Sequence, residues 1–250
     1  MPTLCIAAAQ SISSPGDLAA NIERHCAFAH SAAAAGVELL LFPELSLSGY
    51  EPDLVAECVV DPAGDALEPL RILARRHNMV LILGAPLASA DERPHIGAIV
   101  LFADGSHATY HKRHLHSGEE RWASPGSADA ASFPLHDQRF ALAICADTGH
   151  AEHAAAAAAT GASLYLAGVL ISERGYAVDS DQLQGYASTH GYGVLMANHG
   201  GPSGGYMSAG RSAFWSPEGQ LIGATPGPGE GLLIVRGQQG GNWSTELLAL

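Results

Sequence analysis

Short apolar runs recur along this chain, each too short for a buried helix and long enough for a buried strand. VELLLF (37–42), MVLILG (79–84), RFALAIC (139–145), SLYLAGVL (163–170), GVLMAN (193–198) and GLLIVR (231–236) all have this form. Uninterrupted apolar runs of this length suit strands covered on both faces. Between them lie helical stretches. Asp17 is placed to cap a helix in which Leu18, Ile22, Cys26 and Ala29 recur at helical spacing, with Cys26 read as core and Gly36 as the stop. Residues 66–77, 151–159 and 180–190 read as further helices, the second of these rich in alanine, the strongest helix former. TLCIAAA (3–9) reads as the first strand and GLLIVR as the last. Two hairpins are expected, IGAIVLF with SHATYHK around Ala-Asp-Gly, and SAFWSPEGQLIGA. Helices interleaved with strands and hairpins predict an α/β fold with mixed sheets covered by helices, in one domain spanning 1–250.

Twelve basic residues against 25 acidic ones leave a net charge of −13, which would repel a nucleic acid or an anionic membrane. MPTLCIAAAQ has no basic region ahead of its apolar residues, so no signal peptide is expected. GASLYLAGVLIS falls short of the roughly 20 residues that a spanning helix needs. Four cysteines without a CxxC pair suit reduced thiols, so a cytoplasmic location is expected. Asn242-Trp243-Ser244 matches a glycosylation sequon and, with no secretory route, reads as chance.

Three of the apolar runs end in a group that can do chemistry: Glu44 after LLLFP, Lys112 after ATYH, and Cys145 after FALAI. Singly, a Glu or Lys there is an ordinary surface residue. Together, adjacent strands could present all three at one sheet edge. A thiol at a strand-to-helix junction and near an ammonium is expected to ionise more easily, through the helix dipole and direct attraction.

The set resembles the nitrilase superfamily of carbon–nitrogen hydrolases, whose catalytic Glu, Lys and Cys occur in this chain order. Phe42-Pro43-Glu44 with Ser48-Gly49-Tyr50 is similar to its first block. Tyr110-His111-Lys112-Arg113-His114-Leu115, then Glu119 and Pro125-Gly126, is similar to its second. Ile144-Cys145-Ala146-Asp147 with Glu152 is similar to its third, and Ala197-Asn198, Gly210-Arg211-Ser212 and SPEGQLIG resemble later landmarks. The resemblance implies a four-layer α-β-β-α sandwich with two mixed sheets. It also implies a homodimer or higher homo-oligomer, no cofactor, no metal and a small-molecule amide or N-carbamoyl substrate.

The roles it implies are Cys145 as nucleophile, Glu44 as general base, and Lys112 with the Ala146 N–H as oxyanion donors. Glu119 orients Lys112 and the substrate, with Glu120 as the competing choice. Tyr50 and Glu173 fall on the substrate side, though Glu173 also reads as a solvated loop carboxylate. Asp147 reads as a cap for the helix that follows.

The sequence departs from the family in places. Ala146 replaces a frequently aromatic residue, and Cys-Ala-Asp instead of Cys-Trp-Glu favours amides over nitriles. Tyr186-Ala187-Ser188-Thr189-His190 replaces Arg-Ala-x-Glu-Asn, which puts inherited helix or subunit contacts in doubt. Acyl transfer to an amine and a catalytically silent binding protein remain as other readings. His111, His114 and His116, with His150-x-x-His153, raise the alternative of metal hydrolysis, but HExxH and paired CxxC are absent.

Overall fold

The computed structural model describes residues 4–127, 131–237 and 241–250. The first strand, β1 (Leu4–Gln10), runs one residue later than the sequence suggests, and Thr3 lies outside the described residues. Helix α1 (Leu18–Ala34) starts where Asp17 accepts a hydrogen bond from the Ala20 N–H and stops before Gly36, whose φ of +76° a non-glycine residue adopts only with strain. Strand β2 (Leu39–Leu41), a 3₁₀ turn (Asp65–Leu67) running into α2 (Glu68–His77), and β3 (Val80–Leu87) follow. The first hairpin is β4 (His95–Leu101) with β5 (His107–His111).

The second half begins with β6 (Ala131–Leu135) and β7 (Gln138–Ile144). After a 3₁₀ turn at Cys145–Gly149 come α3 (Ala151–Ala159), β8 (Leu164–Val169), α4 (Tyr176–His190) and β9 (Gly193–Asn198). The chain closes with β10 (Ala213–Trp215), β11 (Leu221–Ala224), β12 (Gly231–Gly237) and β13 (Trp243–Ala249). β6 and β13 were not expected. β13 corrects the reading of GLLIVR as the last strand, because it pairs antiparallel along all of β12 at the sheet edge. Its mixture of exposed polar and apolar residues hides it from any search for buried runs.

The strands form a seven-stranded sheet, ordered β13-β12-β1-β2-β3-β4-β5, and a six-stranded sheet, ordered β11-β10-β9-β8-β7-β6. β1, β2 and β3 are parallel in the first and β7, β8 and β9 in the second, with antiparallel strands outside them, so both sheets are mixed. Alternation assigns the faces. Ile6, Leu39, Leu41 and Ile82 meet Phe140, Leu142, Leu166 and Leu195 in a core between the sheets. Ala7, Leu40 and Leu81 turn outward onto Phe28, Leu70 and Leu73 of α1 and α2. Ala141, Ala143 and Ala167 turn outward onto Ala154 and Ala157 of α3 and Leu183 and Ala187 of α4. The layers are therefore α-β-β-α, as the resemblance implied. Despite the altered motif in α4, Tyr186 and Ala187 stay buried against the sheet. Cys26 is half-buried at the edge of the core, contrary to its reading as core, while His25 and Phe28 take the deep positions.

The loop after β2 runs between the two sheets, and two glycines let it pass. A Cβ on Gly84 of β3 would come within 2.2 Å of the Pro43 carbonyl oxygen, and one on Gly168 of β8 within 2.8 Å of the Phe42 oxygen. Gly84→Ala is therefore expected to destabilise the protein by about 1–3 kcal/mol through overpacking. Gly185→Ala in α4, where a Cβ meets nothing within 4 Å, should stabilise it by about 0.5–1 kcal/mol. Denaturant titration of the two variants checks the opposite signs.

Candidate active site

Three strand ends converge. Glu44 follows β2 in the first sheet, Lys112 follows β5 in the same sheet, and Cys145 follows β7 in the second sheet. Lys112 extends the β5 pairing by donating its N–H to the Ile96 carbonyl (2.8 Å), while its own carbonyl accepts from the Gly126 N–H (2.7 Å). Pro125-Gly126 thus acts as a clasp. A Cβ on Gly126 would stand 2.3 Å from the His111 oxygen, so only glycine allows this approach.

Lys112 is fully buried and its ammonium has two acidic partners. Its Nζ lies 2.7 Å from Glu44 Oε1 and 2.8 Å from each oxygen of Glu119. Glu119 also accepts from the Tyr50 hydroxyl (2.8 Å) and the His116 N–H (2.7 Å). Glu120 is exposed and accepts from the Gly118 N–H instead, so of the two neighbours only Glu119 meets Lys112. Burial works to neutralise Lys112, but Glu44, Cys145 and Glu119 together raise its pKa, and it stays charged.

Glu44 has one oxygen on Lys112, while its Oε2 has no hydrogen-bond partner among the described residues. Burial raises its pKa to about 7. Lys112 and the nearby Cys145 thiol pull it down, and Glu119 pushes it up. Cys145 opens the 3₁₀ turn with φ +43°, a strained value for a non-glycine residue. The turn is held by the Ile144 N–H on Asp147 Oδ2 (3.0 Å) and the Thr148 hydroxyl on the Cys145 carbonyl (2.7 Å).

The geometry corrects two expectations. First, Cys145 does not rest as a favoured thiolate. Burial and Glu44 raise its pKa well above the usual thiol value, outweighing Lys112, and α3 begins only at Ala151. Second, Asp147 does not cap α3, whose N-cap is His150 with no side-chain bond. Its Oδ1 instead accepts from the Arg113 and His114 N–H groups (3.1 and 2.8 Å), and its Oδ2 from Ile144 N–H and the Tyr110 hydroxyl (2.8 Å). It ties the lysine loop of one sheet to the cysteine turn of the other.

A cavity of about 570 Å³ opens over these groups, lined by Glu44, Tyr50, Cys145, Ala146, Ile171 and Asp179 among others. Tyr50 and Ala146, both read as site residues, are among its lining. Glu173 does not line it. Its carboxylate pairs with Arg211 (2.6 Å) on the surface. Asp179 of α4 is the half-buried carboxylate that the cavity does contain, and sequence reasoning missed it. Buried polar struts were missed too. His199 donates to the Glu44 carbonyl (2.7 Å), and α1 supports the same loop through Asn21 on the Leu47 carbonyl (2.9 Å) and His25 on Ser46 Oγ (2.9 Å). The one available signal was polar residues four apart, Asn21 and His25, on an otherwise apolar helix face. Asn198, singled out as a landmark, bridges both backbone groups of Ile171 (2.9 and 3.0 Å), and so joins the ends of β8 and β9.

A two-sheet sandwich with Glu, Lys and Cys at converging strand ends defines a protein of the nitrilase superfamily. The chain belongs to the carbon–nitrogen hydrolase family, which it matches over residues 5–241. It is 28% identical over 236 residues to a hydrolase encoded 5′ of pqqF in Pseudomonas protegens, covering 93% of this chain and 82% of that protein. It is also similar to the amidase of Nesterenkonia sp. AN1. With a form of that amidase in which a glutamate is replaced by glutamine and acrylamide is added to the active-site cysteine, it shares 30% identity at a TM-score of 0.84, covering 92% of each chain. With a cysteine-to-alanine form in complex with butyramide, the TM-score is 0.85 at 30% identity, covering 93% of this chain and 90% of that one.

Removing the central cation should be costly. Lys112→Ala leaves two buried carboxylates facing each other, and a stability loss of about 3–5 kcal/mol is expected, read by chemical denaturation at neutral pH.

Proposed function

We propose that this protein hydrolyses a small linear amide or N-carbamoyl compound through a thioester on Cys145. The substrate is a small molecule, and the chain acts as a single 1–250 unit in the cytoplasm without a cofactor. The observation that carries this reading is that Cys145 and Glu44 line one cavity, with one Glu44 oxygen left without a hydrogen-bond partner among the described residues. A carboxylate whose pKa stands at about 7 is a matched acceptor for a proton near neutrality.

Cys145 Sγ attacks the carbonyl carbon as its proton passes to Glu44. Negative charge gathers on the carbonyl oxygen, where Lys112 and the Ala146 N–H stabilise it. Collapse of this intermediate breaks the C–N bond, and Glu44 returns the proton to the departing amine. A water then loses a proton to Glu44 and attacks the thioester. The C–S bond breaks, the acid leaves, and Sγ regains its proton from Glu44. Glu119, fixed by Tyr50 and His116, keeps Lys112 aimed throughout. A homodimer or larger assembly is supported by exposed Leu247 and Leu248 on the edge strand β13.

Cys145→Ala should abolish ammonia release from a panel of small amides and N-carbamoyl compounds, and Glu44→Gln should nearly do so. Mass spectrometry of the wild type should find the acyl group on Cys145, and turnover like wild type in either variant would sink the assignment. The pH dependence follows from the base. Glu44 must be ionised to accept a proton, so kcat/KM should fall as pH drops through about 7. A flat profile across that range would remove Glu44 from the role.

A further inference from the structure

His150, which lines the cavity, stacks on His114 just outside it, their ring centroids 3.8 Å apart and 13° from parallel. Glu152 Oε1 lies 3.2 Å from His150 Nδ1. One ligating atom from each of the three lies within 4.8 Å of the other two. The backbone under this group is fixed. Asp147 holds the His114 N–H at 2.8 Å, and His150 and Glu152 stand at the start of α3. The side chains are freer, since His150 and Glu152 are 41% and 69% exposed. No hydrogen bond to the His114 ring nitrogens is made among the described residues, which leaves a nitrogen of that ring open to a ligand. Neither ring supports the catalytic loops as the buried histidines do.

We propose that His114, His150 and Glu152 form a rim site for a divalent transition-metal ion of the zinc class, and that its occupancy obstructs entry to the cavity. Two imidazoles and a carboxylate are a common zinc donor set, with water completing the shell. Nickel and copper would compete for the same donors. The stacked rings must rotate apart to converge on one ion, and their exposure permits it. The site differs from a catalytic metal centre because, of the three, only His150 lines the cavity. Binding stands independently of the reaction, whereas inhibition rests on the hydrolase reading.

The test is calorimetric titration of zinc chloride into Cys145→Ala, which removes the thiol as a competing soft ligand. A tight site of unit stoichiometry is expected. Loss of a direct ligand should cost at least what an outer partner costs, about 10–100-fold in affinity, so His114→Ala and His150→Ala should each weaken binding by that much. His95→Ala, from the other stacked pair with His111 (4.3 Å), should leave affinity unchanged. Absence of binding, or affinity lost with His95 instead, overturns the site. Glu152→Gln should keep metal-free turnover while raising the zinc concentration needed to inhibit, and inhibition unaltered in that variant overturns the obstruction. If no amide is turned over at all, the proposed reaction fails while the titration still reads the metal site.

Discussion

Everything at the site depends on the Lys112 ammonium, fully buried and touching Glu44 and Glu119 at 2.7–2.8 Å. One cation between two carboxylates leaves a net negative charge in a buried cluster. Such a cluster stays together only while every partner is fixed, because a lone buried charge is far costlier than a paired one. The surplus charge also does chemical work. Burial, joined by that surplus charge, raises both the thiol and Glu44, so that the proton is favoured on sulfur and the carboxylate stands ready for it. A cation that simply ionised the cysteine would leave Glu44 with no proton to accept. The observed balance makes nucleophile and base parts of one proton transfer.

The architecture supplies that fixity by building the site from both sheets. Glu44 and Lys112 come from one and Cys145 from the other, so the spacing between base and nucleophile is the spacing between the sheets. The interior core sets this distance through Leu41, Ile82, Leu142 and Leu166. Gly84 and Gly168 admit the Glu44 loop, and Asp147 closes the seam with bonds to both sides. A packing change far from the cavity therefore reaches the chemistry as a change in distance.

Much of this was legible in the sequence, for physical reasons. Buried strands announce themselves as apolar runs, so β2, β3, β7, β8, β9 and β12 were visible, and α3 was found at its observed bounds. β6 and β13 were not: Ser132 and Pro134 interrupt the half-buried β6, and β13 is largely solvent-facing. Glu44 and Cys145 end such runs and Lys112 ends a hairpin strand, but it was their combination in the family's chain order that singled out the three. The thiol's protonation state was misjudged because it depends on counting charges that meet only in three dimensions. Lys112 was visible as a neighbour of Cys145, but the weight of Glu44 and burial was not. Glu173 was placed on the substrate side by chain position, and its pairing with Arg211 is a tertiary fact. The Asp147 side chain reaches across to another sheet, which no local capping rule could show.

The histidines show why density in a sequence is a poor guide to role. His25, His153 and His199 are buried, and burial lowers each pKa, to about 4 for His25 and His199. Their partners assign the tautomers. His199 donates from Nε2 to the Glu44 carbonyl. His25 donates from Nδ1 to the Asn21 carbonyl, which leaves Nε2 to accept from Ser46. His153 donates to the Tyr110 oxygen, whose proton goes to Asp147, and accepts from Tyr165. Each is a rigid, uncharged strut with one donor and one acceptor. A lysine or carboxylate in any of these places would alter the charge balance around Lys112, and an apolar residue would leave a buried polar group unpaired. Neutral imidazole meets both demands, holding catalytic loops in place without adding a charge to a site that works by having one too few cations.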